Sequence, residues 1–173
     1  MSLEPEVQDI FKHIDKNSNF LLSGGAGSGK TYSLIQVIKQ IIEENPTANI
    51  ACMTYTNAAV REISDRFDSK NLSVSTIHDF LWDNIKAFQK ELKESLIHLI
   101  NDDEEKKIKA ADGEVPENYF SEIEKIQYKQ HLAIQKGIIS HDELLILSNH
   151  MFQTYPKLCD ICLLYTSPSP RDS

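Results

Sequence analysis

A chain of 173 residues, 40% hydrophobic and 25% charged, is long enough for one domain with a buried core, or for one domain carrying a small insertion. Its formal charge of −8 argues against wholesale electrostatic capture of nucleic acid while leaving room for a local basic groove. No apolar run approaches membrane-spanning length, and the acidic start Met1–Glu6 is no signal peptide. The three cysteines, Cys52, Cys159 and Cys162, form neither a zinc nor a disulfide pattern, so reduced thiols in a cytoplasmic protein are expected.

Residues 6–14 read as a short amphipathic helix, with Val7, Ile10, Phe11 and Ile14 on one face and Gln8 on the polar side. Phe20-Leu21-Leu22 reads as a buried strand. It runs into Gly24-Gly25-Ala26-Gly27-Ser28-Gly29-Lys30-Thr31, which has the form G-x-x-x-x-G-K-[ST], and then into Tyr32–Ile42, apolar at helical spacing. Strand, glycine loop and helix are the setting of the phosphate-binding loop of P-loop NTPases. The glycines let the backbone approach a pyrophosphate, and successive N–H groups form an anion nest at the positive end of the helix. Lys30 is placed to reach the β- and γ-phosphates as a point charge, and the Thr31 hydroxyl to bind Mg²⁺.

Pro46 closes the helical region, and residues 49–53 read as a second buried strand. Thr54-Tyr55-Thr56-Asn57-Ala58-Ala59 follows, then a helix over 60–67. A third strand over 72–75 leads into Thr76-Ile77-His78-Asp79-Phe80 and a helix running through Trp82 and Ile85, opened by Thr76 and Asp79 at capping-box spacing. Helical pattern continues to about Ile100, and the charged run 101–107 breaks it. The segment Gly113–Pro116 reads as a loop, and Tyr119–Gln135 as helix again. Ile138-Ile139 with Asp142-Glu143 invites comparison with a strand ending in two carboxylates. Ser140 and His141 interrupt that strand, however, and Ser140 with Glu143 makes a capping box, so a helix start is expected. His13, His98, His131 and His150 show no ligand spacing and are expected at the surface.

GGAGSGKT, TYTNAAVREI and STIHDF, in this order and spacing, resemble the first three motifs of UvrD/Rep-like superfamily 1 helicases. The resemblance covers residues 6–84 closely; its departures are Gly24, Tyr55, Ile77 and Asp79, the last adding a negative charge beside a phosphate-binding segment. It implies that Gln8 reads adenine and that the second and third motifs line a single-strand channel. Thr54, Thr56, Asn57, Thr76 and His78 then serve as sequence-independent phosphate donors, with Tyr55 and Phe80 as stacking faces. Spacing alone favours a plainer reading, in which the threonines and Asn57 cap helices and the aromatics belong to the core.

The expected fold is therefore a parallel α/β, RecA-like P-loop domain with a helical insertion, incomplete at its C-terminus. Residues 1–85 begin it, 86–137 are the insertion, and 138–161 return to it. Residues 162–173 reverse-translate to a sequence resembling a transposase sequencing adaptor, so a non-native tail is expected there. The resemblance implies an ATP-dependent 3′–5′ DNA helicase using ATP, Mg²⁺ and single-stranded DNA, without a membrane. Its second RecA-like domain, arginine finger and Walker B acid are missing from this chain, so the fragment itself is expected to be inactive. A helicase–nuclease of the RecB/AddA kind, and a P-loop switch or small-molecule kinase that does not move on DNA, are the rival readings.

Overall fold

A computed structural model of the chain describes residues 5–16, 18–23, 25, 29–102, 108–110 and 113–160. Gly24, Ala26, Gly27 and Ser28 of the glycine loop, most of the charged run, and the tail lie outside the described residues. The chain divides into two compact units between Ser75 and Thr76, whereas the sequence pattern puts the insertion boundary after residue 85.

In the first unit, helix α1 (Pro5–Asp15) buries Val7 and Ile10 against Val37 of α2 (Lys30–Glu44), with Phe11, Ile14 and Ile41 closing the contact. This is the apolar face read from the i, i+3, i+4, i+7 pattern, and burying each such side chain contributes about 1.5–3 kcal/mol. Strands β1 (Ile50–Thr54) and β2 (Leu72–Thr76) pair in a two-stranded sheet. Just outside that pairing, the Ile50 N–H donates to the Asn71 carbonyl at 2.8 Å, and the Asn71 amide reaches the Pro46 carbonyl at 2.5 Å. Helix α3 (Asn57–Arg66) packs on β1 and α2, and beyond its end the Lys39 ammonium lies 5.5 Å from the Phe67 ring centroid.

The expected strand at Phe20–Leu22 is not formed. These residues belong to no regular element, and Leu21 is 91% exposed. A strand needs a hydrogen-bonding neighbour, and the sheet of this unit consists of β1 and β2 alone among the described residues. The structure is thus mixed α/β with small sheets.

The second unit is a helical body. Helices α4 (Ile77–Ile85) and α5 (Gln89–Asn101) are separated by a break at Lys86–Phe88, and α6 (His141–Thr154) packs on both. Ile85, Leu92, Leu96, Leu144, Leu147 and Met151 are fully buried between them, together with Phe120. Strands β3 (Gln127–Tyr128) and β4 (Ile138–Ile139) pair in parallel, Gln127 opposite Ile138 and Tyr128 opposite Ile139.

The helix expected over Tyr119–Gln135 is replaced by turns, β3 and a 3₁₀ turn at Ile134–Lys136. Distant side chains satisfy this backbone. The Lys93 ammonium donates to the Ile123 carbonyl, and the Ile126 N–H donates to the Gln89 side-chain oxygen at 2.7 Å. Ile126 and Ile134 are buried from opposite ends of a folded-back loop rather than along one helical stripe. Gly137 closes that loop at φ 66°, with its N–H on the Ile134 carbonyl and its own carbonyl accepting from Gln127.

Candidate nucleotide and nucleic-acid sites

The end expected to bind phosphate lies at the start of α2. Gly29 sits at φ 81° in the left-handed region, which glycine enters without the penalty a Cβ would bring. The turn swings the chain so that α2 begins at Lys30, with Ser33 N–H on the Gly29 carbonyl at 2.9 Å. The start of a helix, where the first backbone N–H groups have no carbonyl partner within the helix, is a place receptive to anions.

The Lys30 ammonium donates to the Gly25 carbonyl at 2.7 Å. Lys30 and Thr31 open onto a cavity of about 340 Å³ in the same unit, whose other walls are Leu22 and Leu34, Thr54 at the end of β1, and Ala59, Glu62 and Ile63 of α3. The donor set is a cation, hydroxyls and helix-start amides, which suits a phosphate group. Among the described residues Glu62 is the one carboxylate lining that cavity; it is half-exposed and paired with Arg66 at 3.0 Å. Sequence reasoning passed over Glu62, although Ala59, Glu62 and Ile63 stand at i, i+3 and i+4 on one face of α3. Gln8 lies exposed on α1 and does not line this cavity.

The segment Thr54–Asn57 ends β1 and opens α3. Thr54 donates to the Thr56 carbonyl at 3.1 Å, and Thr56 is the N-cap of α3, accepting from Ala59 N–H at 3.2 Å. Asn57 is exposed, and Tyr55 is 83% exposed, with its ring standing free of the core. In the second unit Thr76 is buried. Its hydroxyl accepts from Asp79 N–H at 3.1 Å and donates to the Asp79 carboxylate at 2.7 Å, so it is engaged in capping α4. Of the residues in these two segments, Tyr55 and Asn57 present open side chains, His78 and Phe80 are half-buried, and Thr56 and Thr76 hold helix starts.

His78 does not stand alone. Its ring lies 4.6 Å from that of His141, whose Nδ1 is hydrogen-bonded to the Tyr128 hydroxyl. Tyr128 in turn packs 5.9 Å from Trp82. Burial and the nearby Asp79 carboxylate push the Tyr128 phenol above its ordinary pKa, keeping it protonated. At the foot of α6, the Ser140–Glu143 capping box is formed as read from the sequence: the Glu143 carboxylate accepts from the Ser140 N–H at 3.1 Å and from its hydroxyl. Asp142 and Glu143 thus stand in the first turn of a helix rather than at a strand end. Among the described residues no group of three or more histidines, cysteines or carboxylates is placed to hold a metal, and no helix is long and apolar enough to cross a membrane.

A lysine and a threonine at the start of α2 face a cavity walled by the end of β1 and by α3. The model of the UvrD/REP helicase N-terminal domain matches residues 3–161. The chain belongs to the UvrD/REP helicase family. Its relatives agree. It is 41% identical over 98 residues to the Gabija protein GajB of Bacillus cereus (strain HuB5-5), covering 53% of this chain and 14% of that protein. A probable DNA helicase II homolog of Rickettsia conorii is 32% identical over 118 residues, 62% of this chain and 18% of the relative. An ATP-dependent helicase/nuclease protein of Lactobacillus gasseri is 39% identical over 57 residues, 32% of this chain and 5% of the relative. This UvrD/REP chain therefore spans under a fifth of the length of each of these relatives. No solved structure matches it.

Proposed function

We propose that this chain is the nucleotide-binding N-terminal part of an ATP-dependent DNA helicase that moves 3′–5′ along single-stranded DNA. The observation that carries the reading is the cavity at Lys30 and Thr31, with the lysine poised on the Gly25 carbonyl. An arriving triphosphate exchanges that neutral acceptor for a charged one, a stronger partner for an ammonium. Thr31 would hold Mg²⁺, which when bound neutralises charge on the β- and γ-oxygens. Gln8 would read the adenine, and the remaining glycine-loop residues Gly24–Gly29 would cradle the phosphates. Thr54, Tyr55, Thr56, Asn57, Thr76, His78 and Phe80 belong to the segments that would follow the DNA strand. Within them the exposed Tyr55 is best placed to stack a base, while Thr56 and Thr76 would act mainly by fixing helix starts.

A complete motor also needs a carboxylate to hold Mg²⁺ and another to orient the attacking water. Asp142 and Glu143 begin α6, so the 173-residue chain by itself is not expected to turn over ATP. The similarity to a helicase/nuclease keeps a second reading open, in which the parent protein also carries a nuclease domain.

The experiment is DNA-stimulated ATP hydrolysis and strand displacement by the parent protein, on substrates tailed at either end. Lys30→Ala should abolish turnover because the phosphate charge loses its counter-charge. Turnover within a few-fold of wild type in the purified variant would dismiss the site. Unwinding only from a 5′ tail would refute the polarity, and nucleotide hydrolysis indifferent to DNA would favour the switch or kinase reading.

A further inference from the structure

The second unit places four aromatic side chains from three elements together. His78 and Trp82 come from α4, Tyr128 from β3 and His141 from the first turn of α6. The Tyr128 ring also meets the His141 ring edge-on, with centroids 5.3 Å apart. Tyr128 is half-buried and His141 exposed, so the tyrosine is held from below while the imidazole faces water.

The bond between the Tyr128 hydroxyl and His141 Nδ1 has a chemical consequence. A phenol is the better proton donor of the two groups and a neutral imidazole nitrogen the better acceptor. The favoured arrangement is therefore O–H donating to Nδ1. A neutral imidazole whose Nδ1 accepts must carry its proton on Nε2. His141 is then a hydrogen-bond donor without needing a positive charge, and it stands beside His78.

We propose that Tyr128 is a positioning residue that fixes His141 as a neutral Nε2–H donor, giving the strand-contacting segment at His78 a second donor for a phosphate oxygen of single-stranded nucleic acid. The proposal rests on the single-strand reading of His78 and adds to it the residue that sets the chemistry of the neighbouring imidazole. Asp79, one residue on, holds its carboxylate on the Thr76 hydroxyl at 2.7 Å. A donor that carries no charge makes the phosphate contact without releasing a counterion, so it adds affinity but not salt dependence.

The test uses the 173-residue chain with fluorescent oligo-dT, titrated at several salt concentrations, alongside ¹⁵N spectra of the imidazole nitrogens. The wild-type spectrum should show His141 as the Nε2–H tautomer, and Tyr128→Phe should return it to a mixture while the ring contacts keep the fold. Tyr128→Phe and His141→Leu should each weaken oligo-dT binding roughly tenfold, with the salt slope unchanged. His141→Gln, whose amide keeps a donor near the Nε2 position, should restore most of the affinity. A wild-type Nδ1–H tautomer would overturn the proposal, as would binding indifferent to His141→Leu in a chain that still loses affinity on Tyr55→Ala. A salt slope that falls by about one in His141→Leu would also overturn it, because the contact would then be that of a cation. A wild-type chain that fails to bind oligo-dT at low salt would sink the single-strand reading together with this one.

Discussion

Replacing Gly137 with alanine isolates how the loop preceding α6 is held. The residue sits at φ 66°, and a Cβ built on it would lie 2.5 Å from Cγ2 of Ile123 and 3.3 Å from Cδ1 of Ile126. The left-handed backbone costs an alanine about 1–2 kcal/mol. The overlap adds roughly 1–3 kcal/mol, because Cγ2 is attached directly to a β-branched carbon and cannot swing away as a chain end would. Reduced freedom of the unfolded chain returns about 0.4–1 kcal/mol. The net expectation is a loss of about 2–4 kcal/mol in the second unit. Gly113 supplies the internal control. It has φ 81° but nothing within 4 Å of an added Cβ, so Gly113→Ala should cost about 1 kcal/mol, the backbone part alone. Trp82, the single tryptophan of the chain, lies in this unit and reports its urea unfolding by fluorescence. At an m-value of about 1–3 kcal/mol per molar, Gly137→Ala should lower the midpoint by roughly 1–2 M, clearly more than Gly113→Ala does. Equal midpoints for the two variants would refute the packing argument, and a Gly137→Ala midpoint at wild type would refute the backbone argument as well.

The remaining expectations are narrower. Ser140→Ala removes the hydroxyl half of the α6 capping box and should cost about 1 kcal/mol of stability in the second unit, read by the same Trp82 signal; no loss would mean that the box is idle. Cys52 is buried in β1 and its thiol is pushed above the ordinary pKa by desolvation. A thiol reagent at neutral pH should therefore modify exposed Cys159 well before Cys52, and the reverse order, read by mass spectrometry, would contradict the burial. Tyr128 should ionise above an ordinary tyrosine. Because its pKa is raised in the folded state, that contribution to stability holds below the unfolded value near 10 and fades as pH climbs through the folded one. Ultraviolet titration of wild type against Tyr128→Phe reads this, and a Tyr128 that ionises together with the exposed tyrosines would refute it. Tyr55→Ala in the parent helicase should weaken single-strand binding by about 1–3 kcal/mol while ATP affinity holds, and unchanged binding at fixed salt would remove Tyr55 from the contact.

The parts of this molecule that sequence order reveals are those closed by short-range bonds. Thr56, Thr76 and Ser140 each cap a helix through a partner three residues on, so residue type and spacing are enough to find them. The start of α2 at Lys30 follows in the same way from Gly29 and the apolar period behind it. Tyr119–Gln135 carries a helical scatter of apolar residues yet folds as a looped β turn. Its decisive bonds come from Gln89 and Lys93 on α5, and no local window contains them. The error at Phe20–Leu22 has the same root, since an apolar triplet states a wish to be buried but not which neighbour will pair with it.

The site divides along the same line. Lys30 and Thr31 are found by motif, but the wall opposite them is α3. Thr56 caps its first turn, and Ala59, Glu62 and Ile63 on one face of it line the cavity together. A residue read as a possible DNA donor thus does its visible work by capping the helix that walls the Lys30 cavity. If a strand binds at Thr54–Asn57 as proposed, this gives a physical route by which it would be felt at Lys30. Any pull on the Thr56 carbonyl, which accepts both from the Thr54 hydroxyl and, within α3, from the Val60 N–H, shifts the first turn of the helix that walls the cavity. On the proposed function, coupling between DNA and nucleotide would need no long relay within the first unit, because one capped helix would touch both sites.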